Sequence, residues 1–296
     1  MGHILTDLKE TFKRGNIYLQ LIYINVGVFV LTSLLTVILM LFNRSGAAIL
    51  LYLELPASVS NFLAQPWSLL TYMFMHAGFM HILFNMLWLY WFGSLFLYFF
   101  SAKHLRGLYI LGGIGGGLFY MLAYNVFPYF QGMIQTSYLL GASASVLAIV
   151  VATAYREPNY QVRLLFIGAV RLKYIALFMI ISDLLFITSD NAGGHLSHLG
   201  GALIGLLFAS SLSKGHDITA WINILFDWVA GLFNRKTWKR KPKMKVHYTG
   251  NKDYDYNATK KAQSDEVDKI LEKIKKSGYS NLSTEEKKSL FDASKR

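Results

Sequence analysis

The sequence has no cysteine and few charged residues, and both shortages limit what the protein can be. Without cysteine there is no disulfide, no thiol nucleophile and no thiolate metal site in the 296 residues. Charged residues make up 16% of the chain, whereas soluble domains contain about 25%. Hydrophobic residues make up 54%, and this composition predicts a protein that crosses a membrane several times.

The positive charge is concentrated in a few places. The formal net charge is +12, and the basic residues lie in segments that connect apolar runs and in the chain after Lys214. Membrane proteins place basic residues in this way to set their topology. We therefore expect the lipid bilayer, and not nucleic acid, to be the partner of the basic segments.

Six apolar stretches are candidates for membrane-spanning helices, which need about 20 largely apolar residues. The fold class that this predicts is all-α, a polytopic bundle of six transmembrane helices. A further apolar piece, 47–55, is too short to span and is expected to lie at the membrane interface or to dip partway into the membrane. The six stretches are 17–42, 69–100, 108–126, 138–155, 174–188 and 194–212.

The distribution of basic residues also predicts the orientation. They lie before the first span, between the second and third, between the fourth and fifth, and after the sixth. By the positive-inside rule both termini are cytoplasmic. The first span is too long for the apolar region of a signal peptide, so we expect it to be retained. Six spans with short loops favour a bacterial plasma (inner) membrane.

The chain divides into four predicted parts. These are a cytoplasmic N-terminal segment at 1–16, the membrane domain at 17–212, an amphipathic juxtamembrane helix with a basic linker at 213–256, and a small cytoplasmic helical hairpin at 257–296. In the hairpin, Gly278 is expected to end the first helix, and Ser283 with Glu286 forms a capping box for the second. No catalytic constellation is evident there, so an accessory module is the interpretation.

Four polar residues are predicted to share one layer of the membrane domain. Ser143 lies one or two turns into the fourth span and His198 about two turns into the sixth, which places both about 10 Å below the outer surface. His81 and Asn85 are four residues apart on one face of the second span, at a similar level. Polar groups at such depth are costly unless they face the bundle or water, which makes them candidates for function.

These residue types support acyl transfer. A neutral histidine can act as base and then acid for a serine nucleophile. The Ser143 amide, the Asn85 amide and a ring N–H of His81 could stabilise the oxyanion. Asp183, in the fifth span, is the intramembrane carboxylate that could extend the pair to a triad, but we expect it to hydrogen-bond a neighbouring helix instead.

The motifs that carry these residues resemble those of the rhomboid intramembrane serine proteases over about residues 25–208. In chain order they are Pro66-Trp67, His76 with His81-Ile82-Leu83-Phe84-Asn85, Gly141-Ala142-Ser143, and His198-Leu199-Gly200-Gly201 with Gly205. The combined set is specific, although each motif alone is weak.

The resemblance implies a role for each matched residue. Ser143 is the nucleophile, His198 the general base, and His81 and Asn85 support the oxyanion. Gly201 and Gly205 allow the sixth span to approach the fourth, and Gly141 is grouped with them as a packing position. No cofactor or metal is implied. The family also implies a loop that caps the site, lateral entry past the fifth span, and single-pass membrane proteins as substrates.

Three positions depart from the family pattern. Ser68 stands where arginine is common after the loop tryptophan, Ala144 replaces a frequent glycine after the nucleophile, and Leu147 replaces an aromatic ring that often packs on the base. The oligomeric state is not predicted.

Two further histidines and two other functions have to be weighed. His195 is expected near the water-filled mouth, and His76 is expected to bond to nearby backbone.

A zinc site is one alternative function, with His76, His81, His195 and His198 as the ligands. It is disfavoured because no acidic residue accompanies them in the second or sixth span. A catalytically inactive rhomboid-like protein that binds client transmembrane helices is the other, disfavoured because the serine and the histidine are both present.

Overall fold

The computed structural model describes Phe12 and residues 15–164, 168–233 and 252–294. The chain divides into two compact units, Met1–Asn234 and Arg235–Arg296. Most of the predicted N-terminal segment, 1–16, lies outside the described residues, as does the basic part of the predicted linker, 234–251.

The first unit is built mainly from α-helices. Four of them have more than 20 residues and three have 14, and the others are short pieces between the first and second long helices. In chain order they are α1 (Ile17–Leu41), α2 (Ala47–Leu51), α3 (Val59–Ala64), α4 (Ser68–Thr71), α5 (Phe79–Phe99), α6 (Ala102–Val126), α7 (Ser143–Arg156), α8 (Leu172–Leu185), α9 (Ala192–Ser213) and α10 (Ala220–Phe233).

Helix α7 forms the centre of this unit. Every residue from Ala144 to Ala154 is buried, and α7 packs against α5, α6, α8 and α9. The approach of α6 depends on small residues, because a Cβ atom on Gly112 would lie 2.6 Å from the Cβ of Ala148, and one on Gly116 would lie 2.6 Å from that of Ala144. The glycines of the third predicted span therefore serve close helix packing.

Four helices of the described chain are long and apolar enough to cross a membrane, namely α1, α5, α6 and α9. The protein is thus a multi-pass membrane protein. The predicted fourth and fifth spans correspond to α7 and α8, each of 14 residues. Such a helix covers only about 21 Å, whereas the hydrocarbon core is about 30 Å thick. Helix length alone therefore does not establish the six-span count.

Three predicted span starts also differ from the structure. The third span was expected to begin at 108, but α6 begins at Ala102 because Ser101 caps it, with the His104 N–H donating to Ser101 Oγ at 3.2 Å. The fourth span was expected to begin at 138, but α7 begins at Ser143 because a strand and a turn precede it. The second was expected to begin at 69, but α5 begins at Phe79 because α4 and a 3-10 turn, Tyr72–Phe74, occupy the preceding residues.

The described chain is mostly helical, in agreement with the all-α prediction, and it also contains two short antiparallel strand pairs that were not predicted. Strands β1 (Leu55–Pro56) and β2 (Tyr138–Leu139) pair antiparallel, with Leu55 opposite Leu139. Strands β3 (Gln161–Leu164) and β4 (Gly168–Arg171) pair antiparallel between α7 and α8. The β1–β2 pair joins segments far apart in the chain, and the β3–β4 pair joins segments on either side of a short connection. Helical periodicity therefore does not reveal either strand pair. The β1–β2 pair ties the loop after α1 to the segment that leads into Ser143.

The second unit contains two helices, α11 (Lys252–Ser277) and α12 (Thr284–Ser294). Gly278 follows α11 with φ 81°, as expected for a residue that ends a helix. The predicted capping box is confirmed, since Ser283 N–H donates to Glu286 Oε2 at 2.7 Å and Glu286 N–H donates to Ser283 Oγ at 3.2 Å. Lys273 Nζ also donates to Glu286 Oε1, at 2.8 Å, which joins the two helices.

Candidate active site

Ser143 is the first residue of α7, and the chain reaches it through a tight turn. Gly141 has φ 129°, which residues with a side chain rarely adopt. Its amide donates to the Tyr72 carbonyl at 2.9 Å. The first amides of an α-helix have no partner within the helix. The turn therefore presents both the hydroxyl and the N–H of Ser143 at a helix N-terminus, where negative charge is favoured.

His81 lies beside this turn with its ring orientation fixed by the backbone. The Ala77 N–H donates to His81 Nδ1 at 3.3 Å, so in the neutral ring the proton is on Nε2. A Cβ atom on Gly141 would lie 3.0 Å from His81 Nε2 and 3.6 Å from Ser143 Oγ. The ring N–H of His81 is therefore a hydrogen-bond donor next to the serine turn.

Asn85 lies one turn further along α5. Its Nδ2 donates to the carbonyl of His81 at 2.9 Å, and the side-chain amide carries a second N–H. Asn85 is buried and still lines the cavity next to Ser143. It can therefore supply a second donor from the same helix face as His81.

His198, on α9, is bonded to a carboxylate on α8. The Nδ1 atoms of His198 and His195 each lie 2.8 Å from the same oxygen, Oδ1 of Asp183. The Asp183 side chain is only 8% exposed. A carboxylate accepts hydrogen bonds, so the His198 proton is on Nδ1 and its Nε2 is left as an acceptor.

The four predicted site residues converge on one cavity of about 400 Å³. Ser143, His81, Asn85 and His198 all line it. No hydrogen bond within 3.5 Å joins Ser143 Oγ to His198 in the part of the chain that the structure describes, and such bonds often tighten only when substrate binds. Apart from these four, the lining consists of Met80, Phe84, Trp88, Leu140, Val146, Leu147, Met179, Asn191 and Gly194.

The glycines of α9 bring His198 close to α7. A Cβ atom on Gly201 would overlap the backbone carbonyl of Ala144, and one on Gly205 would overlap the carbonyl of Ala148. The two helix backbones are therefore in contact, and a side chain at either position would push α9 away from α7.

The loop before α5 is held without an arginine after the tryptophan. Trp67 Nε1 donates to the Tyr52 carbonyl at 2.8 Å, and the two rings stack with centroids 6.2 Å apart. Thr71 Oγ1 donates to the Leu53 carbonyl at 2.7 Å. Ser68 is fully buried, and its Oγ has no partner among the described residues.

The other two departures lie against the site. Ala144 is fully buried behind the nucleophile, and Leu147 lines the cavity together with His198. His76 is buried as well and packs edge-on against His81, with ring centroids 5.1 Å apart. Neither ring nitrogen of His76 makes a hydrogen bond of regular geometry within the described chain, although the ring interacts with the nearby Phe74 backbone, as expected.

The contact between Asp183 and both histidines is the feature that sequence reasoning undervalued. Asp183 does bond a neighbouring helix, as expected, but its partners include the predicted base. Helices α8 and α9 are antiparallel neighbours joined by a short turn, so residues on either side of the turn at similar distances from it come together. Counting outward from the turn would have paired Asp183 with the His195–His198 region.

The same three residues bear on the metal alternative. Asp183, His195 and His198 offer three ligand atoms within 4.8 Å of one another, a set able to hold a metal ion. The second and sixth spans contain no acidic partner for the histidines, but the fifth span supplies the carboxylate of Asp183. His76 and His81 are not members of this group.

Comparison with known proteins agrees with the residue pattern. The family model of the Rhomboid domain matches residues 63–215, just over half of the chain, and a family of unknown function (DUF6576) matches residues 251–296. The chain belongs to the rhomboid family.

A curated relative extends the match. The "RHOMBOID-like protein 12, mitochondrial" of Arabidopsis thaliana is 28% identical over 210 residues, which cover 68% of this chain and 59% of that protein. The match thus spans less than two thirds of the relative's length.

Proposed function

We propose that the protein is an intramembrane serine endopeptidase that cleaves transmembrane segments of membrane proteins. The observation that carries the proposal is the convergence of Ser143, His198, His81 and Asn85 on one cavity within the membrane unit. Family membership supports it, because the rhomboid family includes intramembrane serine proteases.

The two cavity histidines are held in opposite tautomers, which fits opposite roles. His198 is protonated on Nδ1 and offers Nε2 as a base, whereas His81 is protonated on Nε2 and offers a donor. A serine protease needs one of each: a base for the hydroxyl proton and donors for the oxyanion.

The reaction proceeds in two half-steps. Ser143 Oγ bonds to the carbonyl carbon of the scissile peptide while its proton passes to His198 Nε2. The C–N bond then breaks, and the amine leaves with that proton. Water attacks the acyl-serine with His198 again as base, which releases the acid and restores Ser143. Donors at the Ser143 amide, His81 Nε2 and Asn85 Nδ2 stabilise the negative oxygen formed in each half-step.

The arrangement in the membrane is part of the proposal. Helices α7 and α8 complete a six-helix bundle with α1, α5, α6 and α9, the two termini lie in the cytoplasm, and the cavity opens toward the outer face of a bacterial plasma membrane. Single-pass membrane proteins enter laterally past α8. Both 14-residue helices serve as spans in this arrangement, with the strands and turns that flank them making up the remaining distance across the membrane.

The test is cleavage of a model single-pass substrate in liposomes by the protein and by two matched variants. Ser143→Ala is expected to abolish cleavage. Ser145→Ala is the control, because Ser145 lies two residues away on α7, is fully buried and has no hydrogen-bond partner in the described structure. It is expected to retain activity.

Two further arms separate the alternatives. Survival of cleavage in a chelator would support the serine mechanism, and its loss would move the site to the Asp183, His195 and His198 metal group. Absence of both cleavage and fluorophosphonate labelling of Ser143 would favour a catalytically inactive rhomboid-like protein that binds client helices.

A further inference from the structure

We propose that Asp183 is a positioning residue of the site, which holds His198 in the tautomer and orientation that a general base requires. The inference rests on the proposed function and adds a third residue to the pair of Ser143 and His198. It follows from one contact, the 2.8 Å separation between Asp183 Oδ1 and His198 Nδ1.

The contact determines which nitrogen of His198 can act. In a neutral imidazole one nitrogen donates and the other accepts. Because Asp183 occupies the Nδ1 side as an acceptor, the lone pair is on Nε2, the atom free to face the cavity that Ser143 lines. When Nε2 takes the serine proton, the ring becomes a cation next to the carboxylate. Asp183 stabilises that charge without taking the proton itself.

The surroundings make this role stronger than it would be in water. Asp183 and the two histidine side chains are 8%, 19% and 22% exposed. An ionised carboxylate inside a membrane protein is costly unless it is paired or hydrogen-bonded. Here two N–H groups from one helix satisfy a single oxygen.

His195 is assigned the role of second donor and not that of the base. Its Nδ1 bonds to the same Asp183 oxygen at 2.8 Å, and its ring lies edge-on to that of His198 with centroids 6.0 Å apart. On the other side it contacts Phe186, with ring centroids 6.0 Å apart. His195 does not line the cavity that contains Ser143. It restrains the carboxylate so that Asp183 remains aligned with His198.

The experiment measures kcat and KM for liposome cleavage by three variants. Asp183→Asn is expected to lower kcat by about 10²- to 10⁴-fold with little change in KM, because an amide can donate to Nδ1 and favour the wrong tautomer. Asp190→Asn is the matched control, since Asp190 is an exposed carboxylate in the turn before α9, and it is expected to leave kcat unchanged. His195→Gln is expected to lower kcat by about 10-fold or less, because the bond between Asp183 and His198 remains.

A spectroscopic readout separates positioning from folding. In protein labelled with ¹⁵N-histidine, the His198 signals are expected to report an Nδ1-protonated ring in the parent and a changed tautomer in Asp183→Asn. Thermal unfolding is expected to show that the helix bundle of Asp183→Asn is intact. An unchanged kcat in Asp183→Asn would overturn the inference. A lower kcat in a variant that unfolds globally while the His198 tautomer is unchanged would also overturn it, because the loss would then come from folding.

Failure of the inference is distinct from failure of the proposed function. If Ser143→Ala still cleaves, the serine mechanism itself is wrong. If Ser143→Ala is inactive and Asp183→Asn is fully active, the mechanism holds and only the positioning role is lost. If His195→Gln loses cleavage as completely as Ser143→Ala and Asp183→Asn does not, His195 acts as the base and the assignment is wrong.

Discussion

The two ends of the membrane unit use polar groups in different ways. At one end, where α5, α7 and α9 begin, Asp183 bonds to two histidines with its side chain 8% exposed. At the other end, where α6 begins, Arg106 bonds to Asn223 Oδ1 at 2.8 and 3.0 Å and to Asp227 Oδ1 at 3.2 Å. The side chain of Asp227 is 55% exposed.

The two ends differ in how far their polar groups are exposed, and this difference affects how much each polar contact matters. Buried polar groups lose their hydration and have to be satisfied by a few fixed partners, so each partner matters and its loss is costly. Exposed ion pairs keep much of their hydration and contribute about 0–1 kcal/mol each. The first end carries the proposed site, and the second holds α10 against the start of α6.

Apart from the variants of Ser143 and Asp183, the largest expected effect comes from the proposed oxyanion donor at the site end. Replacing His81 with Leu removes the Nε2–H beside Ser143, and the loss of one such donor lowers kcat by about 10²- to 10³-fold. KM is expected to change little, because the donor acts on charge that develops in the transition state. Steady-state cleavage in liposomes measures both constants.

A graded replacement sharpens the His81 prediction. His81→Gln retains an N–H donor of similar reach, so its kcat is expected to lie between those of the parent and His81→Leu. Equal activity in the two variants would argue that packing against His76, and not hydrogen bonding, is what His81 contributes.

The next effect concerns the helix contact that brings the site together. Gly201→Ala places a Cβ against the Ala144 carbonyl, and overpacking of this kind costs about 1–3 kcal/mol. Gly27→Ala in α1 is the control, since nothing lies within 4 Å of the added Cβ. Thermal unfolding in mild detergent is expected to show a lower Tm for the first variant and an unchanged or higher one for the second. Equal Tm values would mean that α7 and α9 separate without cost.

A smaller effect is expected at the opposite end. Arg106→Met removes the bonds to Asn223 and Asp227 and is expected to destabilise the docking of α10 by about 1 kcal/mol. Hydrogen exchange of the α10 amides should then become faster while cleavage is preserved. Lys103→Met is the comparison, since Lys103 lies 3.5 Å from Asp227 but its side chain is 69% exposed. Its effect is expected to be near zero, and a larger one would reverse the ranking of the two pairs.

The smallest effect lies in the second unit and depends on pH. The hydrogen bond from Lys273, followed by that from the Ser283 amide, holds the pKa of Glu286 below its ordinary value of 4.5. A lowered folded-state pKa means that this contribution is fully present above about pH 4.5 and is lost as the pH falls through the lowered value. Hydrogen exchange of α12 amides, corrected for intrinsic rates, is expected to rise over that range.

The control for the pH prediction is Glu286→Gln, which removes the titrating group. It is expected to show faster exchange in α12 at neutral pH and no further change on acidification below pH 4.5. A pH dependence that persists in this variant would assign the titration to another carboxylate.

Local sequence patterns were sufficient for much of the molecule. The motifs around His81, Ser143 and His198 predicted the family, which the comparisons confirm, and apolar length predicted a multi-pass membrane protein. Ser283 and Glu286 predicted a capping box that the hydrogen bonds show. These predictions were possible because helix caps and apolar spans depend on residues close together in the sequence. A family motif is likewise visible in the sequence itself.

Tertiary structure decided what depends on distant residues. The pairing of Leu55 with Leu139 moves the start of α7 to Ser143, and no periodicity within either segment predicts that bond. The contact of Asp183 with His198 likewise exists only because α8 and α9 fold back on each other. Sequence alone thus determined which side chains could do chemistry in this protein. The packing of α8 against α9 decided which carboxylate bonds to His198, because hydrogen bonds depend on distances in space and not on separation along the chain.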